Sequence, residues 1–166
     1  MAGTLSRVAL ASKFGYVVLM SMKIALEEAE AAAARGEVPI GAVLVHGPSG
    51  RVLARAGNRV EELGDATAHA EMLVLRAGAD PAQHRLADCD LYVTLEPCPM
   101  CAAAIALARV RRLYFGAYDP KGGGVEHGPR IFTQPTCHHR PEVVGGIEEG
   151  PAALLLRDFF AVRRQS

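Results

Sequence analysis

Apolar and polar positions change rhythm several times along this chain, and each change marks an expected element. The run M-K-I-A-L-E-E-A-E-A-A-A-A-R is rich in strong helix formers and stops at Gly36, which predicts a first helix opening at Met20 or Met22. Residues 1–18 show no clear period and are expected to be an N-terminal extension, disordered or the product of a start placed ahead of Met20 or Met22. Val38–Val45 reads as a buried strand, His46–Gly50 as a turn and Arg51–Ala56 as the returning strand of a hairpin. A polar loop, 58–66, leads to a helix over Thr67–Ala77. Leu91–Leu95 is a third strand, Cys98–Ala108 a helix, Leu113–Ala117 a fourth strand and Glu142–Val144 a short fifth. A last helix is expected over Pro151–Arg164, with proline in its first turn. Helices alternating with strands predict an α/β domain whose sheet is covered on both faces. Between Tyr118 and Arg140 the chain is rich in Gly and Pro and too long for a plain connector, which marks a loop that is either functional or disordered.

Composition narrows the classes. The chain has 166 residues, enough for one domain with a substantial core, and 50% hydrophobic with 22% charged residues is ordinary for a globular protein. No apolar stretch approaches the ~20 residues of a membrane span, so no membrane role is expected. Net charge is zero, but the first 108 residues carry a small acidic excess and the remainder an equal basic one. That tilt permits an anionic partner near the C-terminal half without requiring one. There are 4 cysteines and no convincing signal peptide, which favours a reducing cytoplasm over a disulfide scaffold. In that setting a Cys-x-x-Cys pair is metal-binding or catalytic.

Such a pair lies in T-L-E-P-C-P-M-C, residues 94–101. Cys98 follows a strand and Pro99 suits the first helical position, so Cys98 is the expected N-cap and Cys101 falls in the first turn. Backbone N–H groups and the helix dipole favour thiolates there. A redox dithiol fits the same position, and the pair alone does not choose. His69 and Glu71, in T-A-H-A-E, open the preceding helix and give His69 as the candidate third ligand. Three ligands leave a position for water, as catalytic zinc requires, whereas a structural site would close with a fourth. Cys89 lies before the strand whose far end carries Cys98 and reads as a buried apolar residue. The Cys137-His138-His139 cluster is the more serious candidate for closing the site.

H-A-E followed, 29 residues after its histidine, by P-C-x-x-C resembles the signature of zinc-dependent nucleobase deaminases. The flanking blocks, R-G-E-V-P-I-G-A-V-L-V, G-N-R, L-Y-V-T-L-E-P-C-P-M-C, F-G-A-Y-D-P-K and D-F-F-A-V-R-R, resemble the bacterial tRNA adenosine deaminase family from about Met22 to the C-terminus. The resemblance implies a three-layer α/β/α cytidine-deaminase-like fold with a central mixed five-stranded sheet flanked by helices, as one deaminase domain over 19–166. It implies one Zn2+ per subunit on His69, Cys98 and Cys101, with Glu71 as the catalytic proton shuttle. It gives Asn58, Ala70, Asp119 and Phe159 as substrate-binding residues: Asn58 at the target base, Asp119 on the nucleotide backbone, Phe159 with Phe160 near the RNA. It further implies a cytoplasmic homodimer acting on a tRNA anticodon loop, with inosine formed at the wobble adenosine of an arginine tRNA with an ACG anticodon.

The chain departs from the family at Ala103, where glycine is common, and across the loop from Gly122 to Thr136. Val38, Ile40 and Pro97 are candidate stacking walls, and Lys121, Arg130, Arg140, Arg163 and Arg164 candidate phosphate contacts. Two other readings stay open: a deaminase of a free nucleobase or nucleoside (guanine, cytosine, adenosine) with the same zinc chemistry, and a zinc-stabilised module without activity.

Overall fold

A hairpin supplies the first two strands of the sheet, crossovers through helices the next two, and a long loop with a single 3-10 turn leads to the last. The computed structural model describes residues 13–80, 82 and 84–164. Helix α1 spans Lys13–Ala34, followed by β1, Gly41–His46, and β2, Arg51–Gly57. A one-turn helix α2, Val60–Leu63, precedes α3, Ala70–Gly78. Then come β3, Cys89–Leu95, α4, Pro99–Leu107, β4, Arg112–Ala117, a 3-10 turn at Ile131–Thr133, β5, Glu142–Val144, and α5, Glu149–Arg163.

The strands form one five-stranded sheet in the order β2-β1-β3-β4-β5. β1 is antiparallel to β2 and β3, while β3, β4 and β5 run parallel, so the sheet is mixed. Alternation along the strands divides the core in two. Ala42, Leu44, Leu91, Val93, Leu113 and Phe115 face α3 and α4, meeting Ala70, Val74, Ala102 and Ile105. Val43, Val45, Tyr92 and Tyr114 face α1, meeting Val18, Met22 and Ala25, with the Tyr92 and Tyr114 rings stacked at 4.7 Å. Helix α5 shares that second face, where Ala152 meets Gly116 of β4. The expected three-layer α/β/α architecture is therefore what the chain adopts. Helix α1 lies close on its face because Gly41 and Gly57 carry no side chain: a Cβ there would stand 1.9 Å from the Ala25 carbonyl and 2.5 Å from the Glu28 carbonyl.

Three boundaries differ from expectation by three residues or more, each for a local reason. Helix α1 begins at Lys13, so residues 13–18 belong to it and not to a structureless extension; residues 1–12 lie outside the described residues. Its buried stripe is Gly15, Val18, Met22, Ala25, Ala29 and Ala32, and exposed Phe14 and Tyr16 disguise the period. At its far end Gly36 does stop it. The N–H groups of Gly36 and Glu37 return to the carbonyls of Ala33 and Ala32, with Gly36 at φ +82°, a Schellman closure. β1 starts at Gly41 and not Val38 because Pro39 has no N–H and the Ile40 N–H turns back to Val38 at 2.8 Å. α3 starts at Ala70 and not Thr67, because the Asp65 carboxylate takes both the N–H and the hydroxyl of Thr67 and holds it in a turn.

Candidate metal centre and active site

The register places the site. β1 runs against β3, and β3 beside β4, so the start of β1 and the carboxyl ends of β2, β3 and β4 share one end of the sheet. The segments leaving that end carry Asn58, His69, Cys98 and Asp119. Open α/β sheets commonly hold ligands outside the carboxyl ends of their strands. His69 is the N-cap of α3 and Cys98 the N-cap of α4, both in extended backbone, with Pro99 at the first helical position. Two helix N-termini thus aim side chains at one point.

His69 Nδ1 lies 3.6 Å from Cys98 Sγ and 3.5 Å from Cys101 Sγ. Zinc at its usual ~2.3 Å from sulfur and ~2.05 Å from nitrogen, with tetrahedral angles, sets such atoms about 3.6 Å apart. The donor set therefore fits zinc in spacing as well as in kind. All three ligand atoms lie within 4.8 Å of one another, and no other such group occurs among the described residues. A hydrogen bond from Cys101 pulls the Cys98 thiol down to about 4, with burial opposing and His69 assisting. Cys101 is pushed up by Cys98, then by burial and the neighbouring Glu71 carboxylate. The hydrogen bond to Cys98 raises His69 in turn, with burial opposing it. One thiol of the pair is thus readily ionised, and a bound metal would displace the proton left on the other.

Glu71, in the first turn of α3, is 3% exposed, and its Oε2 is buried without a hydrogen-bond partner. A buried carboxylate oxygen left unpaired is costly unless something outside the chain satisfies it. Burial pushes this carboxyl up to about 7, against the pull of its own backbone N–H and of His69. Burial thus makes this carboxyl easier to protonate than an ordinary glutamate.

The other expected residues divide. Asn58 is buried beside the centre, where its Oδ1 accepts the Ala70 N–H at 2.9 Å, so it fixes the entrance of α3 and leaves its amide nitrogen to donate elsewhere. Ala70 is fully buried in the core behind His69. Asp119 caps its own turn: Oδ1 accepts the N–H groups of Lys121 at 3.1 Å and Gly122 at 2.9 Å. Phe159 is half-buried on α5 under the Arg163 guanidinium, 4.4 Å from the ring centre, and Arg163 donates to the Gly36 carbonyl. That contact ties the last turn of α5 to the site's end of the sheet. Pro97 is buried, with its carbonyl taken by Gly124, and so presents no stacking wall; Val38 and Ile40 are half-buried. Lys121, Arg130, Arg140, Arg163 and Arg164 are all exposed.

Cys89 is buried in the first position of β3, at the opposite end from Cys98, as its apolar reading expected. The Cys137-His138-His139 cluster does not close the zinc site. Cys137 Sγ donates to the His139 carbonyl, and His139 Nε2 lies 2.6 Å from the carbonyl of Val110, just beyond the C-terminal end of α4. There the cluster lines a groove of about 270 Å³ with Ala103, Ala106 and Leu107.

Two buried carboxylates at the site's end of the sheet are not apparent from the sequence pattern. Glu37, 1% exposed, accepts the N–H groups of Glu61 and Glu62 and anchors the segment after Asn58. Glu96, 2% exposed, accepts N–H groups from Asp119 and from 125–127. The signal available for Glu96 was its place directly before Pro97-Cys98, opposite a triple-glycine run.

Comparison with known proteins places this geometry. The profile of the cytidine and deoxycytidylate deaminase zinc-binding region matches residues 19–117. A tRNA-specific adenosine deaminase of Agrobacterium fabrum (strain C58) is 60% identical over 144 residues, covering 86% of this chain and 93% of that protein. A solved structure from a study of A-to-I editing by tRNA:A34 deaminases at the wobble position superposes with a TM-score of 0.79 at 59% identity, covering 82% of this chain and 99% of the other. A guanine deaminase of Nitrosomonas europaea superposes with a TM-score of 0.74 at 26% identity, covering 86% of this chain and 84% of the other.

Proposed function

This chain belongs to the cytidine and deoxycytidylate deaminase family, among its tRNA-specific adenosine deaminases, and from that membership we infer that it converts adenosine to inosine at the wobble position of tRNA. The observation that carries the chemistry is the buried, unpartnered Glu71 oxygen beside three zinc-spaced donors. Kinship decides between substrates, since identity is 60% to a tRNA enzyme and 26% to a guanine deaminase of the same fold.

His69, Cys98 and Cys101 hold the zinc, which when bound lowers the pKa of water and makes hydroxide available near neutral pH. Glu71 is no ligand in this scheme. Its carboxylate takes one proton from the attacking water and delivers it to N1 of the adenine, then takes the second from the hydroxyl added at C6 and passes it to the leaving amino group. In the balance, water and adenine yield hypoxanthine and ammonia. Asn58, its oxygen fixed by Ala70, turns its amide nitrogen to an acceptor on the base. Phe159 and Phe160 offer stacking faces to a loop nucleotide, and the exposed basic residues of the C-terminal half meet phosphates. The finer assignments are an anticodon loop as the contacted element, an arginine tRNA with an ACG anticodon, a homodimer and a cytoplasmic site of action.

The test is a substrate panel with zinc-loaded protein: an ACG anticodon stem-loop, free adenosine, guanine and cytosine, with Glu71→Ala as control. Inosine at the wobble position, absent with the variant, is expected. Turnover of guanine beside an inert stem-loop would transfer the same chemistry to a free base.

A further inference from the structure

Glu96 stands two residues before a zinc ligand, fully buried, yet the chemistry above makes no use of it. Its Oε1 accepts the N–H groups of Glu126 at 2.8 Å, His127 at 2.9 Å and Val125 at 3.3 Å. Its Oε2 accepts the Asp119 N–H at 2.9 Å and lies 2.7 Å from His127 Nδ1. A carboxylate has about four lone-pair sites, so this one is saturated by a single loop and has nothing left for substrate or metal.

The same loop rests directly on the ligand-bearing turn. Gly124 donates to the Pro97 carbonyl at 2.8 Å, and a Cβ on Gly124 would stand 2.6 Å from Pro99 N and 2.9 Å from the carbonyl carbon of Cys98. A Cβ on Gly123 would stand 2.5 Å from Glu96 Oε1. Gly123 and Gly124 are therefore explained by close approach to Glu96 and to the backbone of the first cysteine ligand, while a Cβ on Gly122 would stand 2.9 Å from Asp119 Oδ2. Tyr118, edge-on to the His127 ring at 6.2 Å, closes the far side.

We propose that Glu96, with His127 as its partner on the rim, is a positioning residue that sets the 119–127 loop as a substrate-side wall in fixed register with the Cys98 turn. An apolar side chain at 96 would leave the N–H groups of Asp119 and of 125–127 buried and unpaired, and a glutamine would turn its own NH2 against one set of donors. Either change frees the loop from the turn without touching a ligand atom. The inference rests on the tRNA deaminase reading for its substrate, but its loop geometry is measurable apart from activity.

The experiment compares wild type with Glu96→Gln, His127→Ala and Asp90→Asn, all zinc-loaded. Asp90→Asn breaks the ion pair to Arg111 at the other end of β3 and serves as a general destabilisation control. For Glu96→Gln, KM for the anticodon stem-loop is expected to rise about tenfold or more, with kcat changing less than about threefold and one zinc per chain retained. Amide hydrogen exchange should quicken across 119–127 and not across α3. His127→Ala, whose side chain is 35% exposed, folds whether or not Glu96→Gln does. It should raise KM roughly three- to tenfold, the worth of one hydrogen bond. Unchanged KM in the Glu96 and His127 variants, loss of zinc, or an equal rise of KM in Asp90→Asn would overturn the proposal. A stem-loop inert with wild type would refute the substrate reading instead, and exchange at 119–127 would then decide the role of Glu96 alone: quickened exchange supports it, unchanged exchange refutes it.

Discussion

At the N-terminal end of α4, His69 Nδ1 lies 3.6 and 3.5 Å from the sulfurs of Cys98 and Cys101; at its C-terminal end, Cys137 and His139 turn the same kinds of atoms to the carbonyls of His139 and Val110. Residue types barely differ between these clusters. What differs is which atoms are left over. At the first end two helices begin side by side, their N-caps supply the donors, and the dipoles favour thiolates. At the second end the helix has terminated, and these atoms are spent on backbone: His139 on the Val110 carbonyl just beyond the helix, Cys137 on the His139 carbonyl of its own loop. Metal competence thus follows from where on a helix a cluster falls, more than from its composition.

Removing a ligand at the first end should have the largest effect. Cys101→Ala is expected to lose both bound zinc and all detectable turnover, read by metal analysis alongside inosine formation. Next comes Glu71→Ala, which should keep one zinc per chain while kcat falls by about 10²–10⁴, the usual worth of a positioned acid–base group. The second end should respond through stability alone. His139→Ala should cost about 1 kcal/mol for the lost hydrogen bond to Val110, a Tm drop of roughly 2–4 °C, with zinc content and kcat unaltered; zinc loss in that variant would erase the distinction between the two ends.

The smallest effect concerns pH. Burial alone would raise the Glu96 carboxyl, but the N–H groups of Asp119, His127 and Glu126 and the His127 ring hold it below its ordinary 4.5. A depressed folded-state value adds stability that is present above 4.5 and is lost as pH falls through the folded-state value. The Tm gap between wild type and Glu96→Gln should accordingly be full at neutral pH and narrow below that point, as thermal melts across an acid series would record.

Much of the centre was legible because its signals are local. Pro99 after Cys98 fixes a helix start, the Cys-x-x-Cys spacing puts both sulfurs on it, and His69 opens the preceding helix. Thr67 was placed in that helix because the turn made by Asp65 leaves no trace in hydrophobic period. The early start of α1 was hidden since its buried stripe begins with Gly15 and its first aromatics, Phe14 and Tyr16, are exposed. Glu37 and Glu96 were invisible for another reason: each is buried by partners more than twenty residues away, and a carboxylate in sequence looks like surface until those N–H groups are placed. Asp119 was assigned to the substrate by resemblance, while its position shows a side chain capping its own turn.

Zinc-edge X-ray absorption on the purified protein tests the open three-ligand centre most directly. Two sulfurs at about 2.3 Å with two nitrogen or oxygen neighbours at about 2.0 Å, one of them imidazole, is the expected shell. It should be unchanged in a Cys137→Ser, His138→Ala, His139→Ala triple variant. A third sulfur or a second imidazole, lost in that variant, would mean that the second cluster closes the site, and the catalytic reading of the first would fail.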